Sequence, residues 1–381
     1  MNKKEVNEIR RRLSPVRSAI SRIYGCYVNT NREIISYLEE PFGLMPEFET
    51  DKYFSLLKKV LSGTMGRNLI DIVFSTQQVA DSDEHRLLSA QRSTRLQDRE
   101  TRDAFYQKVI DSLEMDGSNY LILLACDSYD VPARGKDDET QEDASDTVFT
   151  YVVCCICPVR DGKTELGYFP GENEFHSCTP VQIVEPPELG FLFPAFDDRA
   201  ANIYNALFYS KNPGRLHQEF IDAVFRTEPP MSADEQKETF ESALTDALED
   251  GCSYHVMQSV HEQLRERIQE HAESKDPEPL DLSPREVGQI LQSCDVPEEQ
   301  VRQFQHNCAE RFGEGAALNP GNIIDSKRFE IRTPQVKIAV DPAYSYLVET
   351  RIIDGRKCLV IPADEGVEVN GVRVRIDDEE E

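Results

Sequence analysis

The pattern of apolar and polar positions divides the chain into strand-like runs and helix-like spacings. Residues 20–29 (ISRIYGCYVN) and 32–38 (REIISYL) are rich in β-branched and aromatic residues. Asn29-Thr30-Asn31 lies between them, which predicts a β-hairpin. Residues 50–61 carry apolar pairs at Tyr53/Phe54, Leu56/Leu57 and Val60/Leu61, a helical spacing. Residues 69–74 predict a strand, and 81–92 and 100–113 predict two helices. The runs 120–126 (YLILLAC) and 147–157 (TVFTYVVCCIC) are continuously apolar, as in strands covered on both faces. They are expected to pair across the acidic stretch 137–146, read as exposed loop, with Pro158 ending the second strand. Residues 188–196 supply another strand, and the segment after Arg199 has helical spacing. A short basic helix over 2–13 precedes all of these. Strands outnumber helices, and hairpins outnumber crossovers. The expected class is α+β, a mostly antiparallel sheet with flanking helices, a helical insert and a C-terminal β unit.

The composition shifts at Glu228-Pro229-Pro230. Phe240, Leu244 and Leu248 share one helical face, and Val256, Val260, Leu264 and Ile268 share another. Residues 274–281 read as a linker. Ser283-Pro284-Arg285-Glu286 is a capping box with proline at the first helical position. Pro297 opens a further helix with Val301, Phe304, Cys308 and Phe312. Residues 328–376 are rich in Val and Ile and carry two hairpin signals, Asp354-Gly355 and Asn370-Gly371. The expected organisation is an α+β domain over 1–228, a helical segment over 229–313, a small β-rich unit over 318–376 and an acidic tail over 377–381.

Charge narrows the function classes. The 381 residues carry a net charge of −28. That disfavours a general nucleic-acid binder and adsorption to anionic membranes. No window approaches 18 apolar residues, so no membrane span is expected. The N-terminus lacks the apolar stretch of a signal peptide. Ten cysteines in a chain of this size read as reduced thiols, so the expected location is cytoplasmic. Residues 1–22 go against the overall charge: Lys3, Lys4, Arg10, Arg11, Arg12, Arg17 and Arg22 face only Glu5 and Glu8. Arg10, Arg11 and Arg12 are the nucleic-acid candidates. The alternative is a helix docked on the chain's own acidic surface.

The strongest junction is 190–209, where Phe191-Leu192-Phe193-Pro194-Ala195-Phe196 stops at Asp197-Asp198-Arg199. Strand ends position side chains for ligands. Asp197, Asp198, Arg199, Asn202 and Tyr204 are therefore candidate ligand-binding residues. The alternative is that Asp198 caps a following helix while Asp197 pairs with an arginine. Gln77 and Gln78 follow the strand at 69–74 and are candidates for lining a pocket, with helix capping as the alternative. Cys154 and Cys157 have CxxC spacing, but a strand puts that offset on opposite faces. His261-Glu262-Gln263-Leu264-Arg265 has arginine where a zinc helix needs its second histidine. No metal site and no cofactor is expected.

The segments Gly25-Cys26-Tyr27-Val28-Asn29, 74–88, 188–199, Asn202-Ile203-Tyr204-Asn205 and 354–371 (DGRKCLVIPADEGVEVNG) resemble a family of clostridial-type, Gram-positive bacteria catalogued as a domain of unknown function. The resemblance covers nearly the whole chain. It implies a bacterial, cytoplasmic protein and supplies no activity. Three functions stay open: a non-catalytic interaction protein with a protein partner, a ligand binder or enzyme at Asp197-Asp198-Arg199, and a nucleic-acid-associated protein using the basic arm.

Overall fold

The computed structural model describes residues 1–134, 140–141, 147–178, 181–364 and 366–374. The expected acidic loop 137–146, apart from 140–141, and the acidic tail 377–381 lie outside the described residues. The chain divides into two units, residues 1–235 with 277–279, and residues 236–276 with 280–381.

The first unit opens with α1 (Lys3–Arg12), capped by Asn2 and Glu5 in a reciprocal box, with Arg10, Arg11 and Arg12 at its C-terminal end. The hairpin β1 (Arg22–Val28) and β2 (Ile34–Pro41) follows, then α2 (Glu47–Lys59) and β3 (Leu69–Val73). The helices α3 (Thr76–Asp81), α4 (Asp83–Ser93) and α5 (Arg99–Ser112) lead to β4 (Asn119–Val131). Short β5 (Ala133–Arg134) and β6 (Thr140–Gln141) separate it from β7 (Thr147–Asp161). After them come β8 (Leu166–Phe169), β9 (Glu174–Ser177), β10 (Gln182–Val184), β11 (Leu189–Phe193), β12 (Ala195–Asp197), β13 (Ala200–Asn202), β14 (Asn205–Ser210) and α6 (Gln218–Phe225).

One antiparallel sheet organises this unit, in the order β2-β1-β4-β7-β11-β14-β3, with β10 also on β7. The protein is therefore α+β, as its sequence pattern predicts. Strand alternation divides the sheet's side chains between two cores. Val152, Cys154 and Ile156 face α4, α5 and α6, together with Ile122 and Leu124. Val153, Cys155 and Cys157 face α1 and α2, together with Leu123 and Ala125. Covering both faces explains why β4 and β7 are apolar at successive positions. Burying a Leu, Ile or Phe side chain contributes about 1.5–3 kcal/mol, so each face adds substantially to stability.

Two expectations need correction. The strand at 147–157 does not stop at Pro158: β7 continues to Asp161. Its neighbour on one side changes there, from β11 at Ile156 to β10 at Val159. A proline, which lacks an N–H, is tolerated at such a break in the ladder. The segment after Arg199 is also not helical. Asp197 pairs with Ala200 across a two-residue turn, and Asp198 and Arg199 have φ of 47° and 59°. Positive φ at both central residues is what a type I′ hairpin requires. The apolar run that follows becomes β14, buried between β11 and β3. Asp198 therefore caps no helix.

The second unit contains most of α7 (Ala233–Leu248), then α8 (Tyr254–Ser274), α9 (Pro284–Ser293), α10 (Glu298–Phe312) and α11 (Pro320–Ile323). Phe240, Leu244, Val260, Leu264, Val287, Leu291, Val301 and Phe304 form its core. The capping box forms as expected: Ser283 accepts from the Glu286 N–H, and Glu286 accepts from the Ser283 N–H. Three hairpins follow: β15 (Phe329–Arg332) with β16 (Lys337–Val340), β17 (Glu349–Ile353) with β18 (Arg356–Val360), and β19 (Val367–Val369) with β20 (Val372–Val374). Their turns include Asp354-Gly355 and Asn370-Gly371, all four residues at positive φ.

Candidate functional site

The basic N-terminal helix and the Asp197-Asp198-Arg199 junction, distant in sequence, meet in space. The apolar stripe of α1, with Val6 and Ile9 buried, packs it on the β12 side of the sheet. Its other positions, with Arg17, the end of β4 and the β12–β13 turn, enclose a groove of about 560 Å³. The groove is lined by Lys4, Glu8, Arg11, Arg12, Arg17, Tyr129, Pro132 and Arg199.

Polar contacts fix several of its lining side chains. Asp127 is fully buried and accepts from Arg12 Nε at 2.8 Å, Arg12 Nη2 at 3.3 Å, the Ala19 N–H at 2.7 Å, the Ser128 N–H at 2.9 Å and Tyr151 Oη at 2.8 Å. Arg12 also donates to the Ser128 carbonyl at 2.7 Å and lies 4.6 Å from the Tyr129 ring centroid. Arg199 holds Glu8 through Nη1 at 2.9 and 3.1 Å and donates Nη2 to the Pro132 carbonyl at 3.0 Å. Tyr129 donates its hydroxyl to Glu8 at 2.8 Å. Burial, with the Glu8 carboxylate alongside, pushes the Tyr129 phenol up to about 12. Burial, reinforced by Asp127, pushes the Tyr151 phenol well above its usual value. Both therefore remain neutral donors.

Arg12 and Arg199 are thus committed to carboxylates of the chain itself. Lys4, Arg11 and Arg17 are exposed and form no ion pair among the described residues. Among the described residues they are the unpaired cations of the groove, in a chain of net charge −28.

The other sequence candidates divide as follows. Arg10 is exposed and does not line the groove. Asp197 accepts from Asn202 Nδ2 at 3.0 Å, and the Asn202 carbonyl oxygen Oδ1 accepts the Tyr204 N–H at 3.0 Å. Asp197 and Asn202 thus brace the β12–β13 hairpin that presents Arg199. Asp198 is exposed at the turn, and the Tyr204 side chain is also exposed. Gln77 and Gln78 line a shallow hollow of about 240 Å³ with Ser75, Asp81, Ser82 and Arg226. Gln78 is largely used up: it completes the Ser75 capping box and donates to the Arg226 carbonyl at 2.6 Å.

Cys154 and Cys157 sit in opposite cores. All ten cysteines are free, and no cluster of three or more His, Cys, Asp or Glu among the described residues has metal-holding geometry. His176 pairs with Glu172 at 3.1 Å. Among the described residues no helix is long and apolar enough to cross a membrane. Sequence reasoning missed Glu8, Tyr129 and Pro132 as groove residues. Lys4 and Arg17 were visible only as part of a charge excess, because their partner elements lie more than 100 residues away.

No curated protein matches the chain closely enough to count as a relative. A family model described as a domain of unknown function (DUF4317) matches residues 1–372. With nearly its full length matched, the chain belongs to the DUF4317 family.

Proposed function

We propose that this chain is a non-catalytic interaction protein whose groove beside α1 receives an acidic segment of a partner protein. The observation that carries the reading is the set of Lys4, Arg11 and Arg17, exposed and without carboxylate partners among the described residues, on a strongly acidic chain. Lys4 and Arg11 are two helical turns apart, which separates them by roughly 10 Å along the axis at 1.5 Å per residue. A single phosphate is smaller than that interval. An extended acidic chain, rising roughly 3.3 Å per residue, spans it in about three residues.

The same charges suit a nucleic acid less well. A polyanion long enough to extend past the groove meets the repulsion of the whole acidic surface. A short acidic segment meets mainly the local cations. The ten free cysteines fit a reducing compartment, so the reading includes a cytoplasmic location.

The test uses three probes on the full chain: a fluorescein-labelled ten-residue Asp/Glu peptide, a labelled ten-nucleotide single-stranded RNA and inorganic phosphate. The expected result is saturable peptide binding that weakens as salt rises. Tighter binding of the RNA, binding of phosphate alone, or no binding of the peptide overturns the reading.

A further inference from the structure

The second unit contains a cavity of about 490 Å³ between α7, α8, α11 and β15. Its volume falls in the range of small-ligand sites, roughly 300–1,000 Å³. Phe240, Leu244, Met257, Val260, Ile324 and Phe329 supply an apolar interior. Most of the charged residues in the lining are already paired. Lys237 meets Glu241 at 3.9 Å, and Glu330 holds both Arg332 at 2.8 Å and Lys337 at 2.7 Å.

Two lining ions remain. The Asp325 carboxylate and the Arg328 guanidinium form no ion pair among the described residues, and both are exposed. They lie three residues apart on one turn, where the Arg328 N–H donates to the Asp325 carbonyl at 3.3 Å. The same carbonyl accepts Nε2–H of His261 at 3.0 Å, and the Lys327 N–H binds the Asp325 carboxylate at 3.0 Å. A carbonyl can only accept, so His261 carries its proton on Nε2. Burial lowers the His261 pKa, which keeps the ring neutral. The His261 ring also packs edge-on against Phe329, with centroids 5.2 Å apart. The turn carrying the two free ions is therefore tied to the apolar wall.

The geometry points to a small apolar zwitterion as the occupant, an α-amino acid with a branched or aromatic side chain. Its ammonium group pairs with Asp325, its carboxylate pairs with Arg328, and its side chain enters the cavity. One anionic and one cationic group flanking an apolar hollow select for this combination over a fatty acid or an alkylamine, each of which leaves one ion unmatched.

The experiment is calorimetric titration of the full chain with L-leucine and L-phenylalanine, alongside 4-methylpentanoate and 3-methylbutylamine. The amino acids are expected to bind saturably, one per chain. Each analogue, lacking one charge-assisted contact, is expected to bind about tenfold or more weakly. Arg328→Gln, an exposed change, is expected to erase the preference for the amino acid over the amine. Met257→Trp, at a half-buried wall position, is expected to block binding while leaving the melting temperature close to wild type. Absence of amino-acid binding overturns the inference. So does binding of either analogue as tightly as the amino acids, or binding unchanged by Arg328→Gln and Met257→Trp.

Discussion

Arg12 and Arg11 are neighbours in sequence with opposite expected roles, and their alanine variants separate structure from binding. Arg12→Ala removes the cation facing Asp127, whose side chain is 0% exposed while that of Arg12 is 17% exposed. Breaking a buried ion pair from one side costs about 3–5 kcal/mol because the remaining charge stays buried. Asp127 keeps three donors, from Ala19, Ser128 and Tyr151, which favours the low end of that range, about 3 kcal/mol. At about 2–4 °C per kcal/mol for a body of this size, the expected fall in melting temperature is roughly 6–12 °C. Arg11→Ala changes an exposed side chain, so its expected effect stays within about 0.5 kcal/mol. Differential scanning calorimetry of the two variants and the wild type is the assay. Arg12→Lys restores the charge without the planar two-nitrogen fork that Arg12 uses and is expected to recover part of the loss. If Arg12→Ala melts within a degree or so of Arg11→Ala, the assignment of Arg12 to the framework is wrong. A triple change of Arg10, Arg11 and Arg12 would mix destabilisation with loss of binding and is a poor probe of either.

Three further outcomes are expected. Asp198 sits at positive φ in the hairpin turn, so Asp198→Gly should leave stability within about 0.5 kcal/mol, whereas the β-branched Asp198→Val should cost about 1–2 kcal/mol; equal effects in urea titrations would refute the turn assignment. Burial, then the nearby Arg215 guanidinium, lowers the pKa of His217 despite opposing pulls from Glu219 and Glu188. The unfolded chain, with an ordinary value of about 6.5, thus binds the proton more readily. Stability should therefore fall as pH drops from about 6.5 toward the lowered folded value, and His217→Gln should flatten that slope; an unchanged slope in unfolding titrations would contradict this. Burial pushes the Cys157 thiol up to about 12, and the Cys154 and Cys155 thiols well above their usual value. Iodoacetamide at pH 8 should therefore spare all three in the native protein and label them after unfolding, as read by peptide mass spectrometry.

Local signals carried much of the fold. The Ser283 and Glu286 capping box, the Asp354-Gly355 and Asn370-Gly371 turns, and the apolar runs of β4 and β7 each act through neighbours in sequence or through burial on both faces. The segment after Arg199 was misleading because a short apolar run fits a helix and a buried strand equally well. Its fate was settled by β11 and β3, which hold β14 between them. The groove was legible only in pieces. Arg12 and Arg199 can be picked out in the sequence, but nothing local says that each faces a carboxylate. Glu8 meets Arg199 across 191 positions, and Asp127 meets Arg12 across 115. Once those pairs are known, Lys4, Arg11 and Arg17 stand out as the groove cations left unpaired among the described residues.

The most direct test of the groove compares wild type with Lys4→Ala/Arg11→Ala/Arg17→Ala by fluorescence anisotropy with the acidic decapeptide. All three positions are exposed, so the variant is expected to melt near wild type. On the proposed reading the wild type binds and the triple variant loses at least about tenfold in affinity, with a weaker salt dependence. Equal affinity and equal salt dependence in a folded triple variant would contradict it.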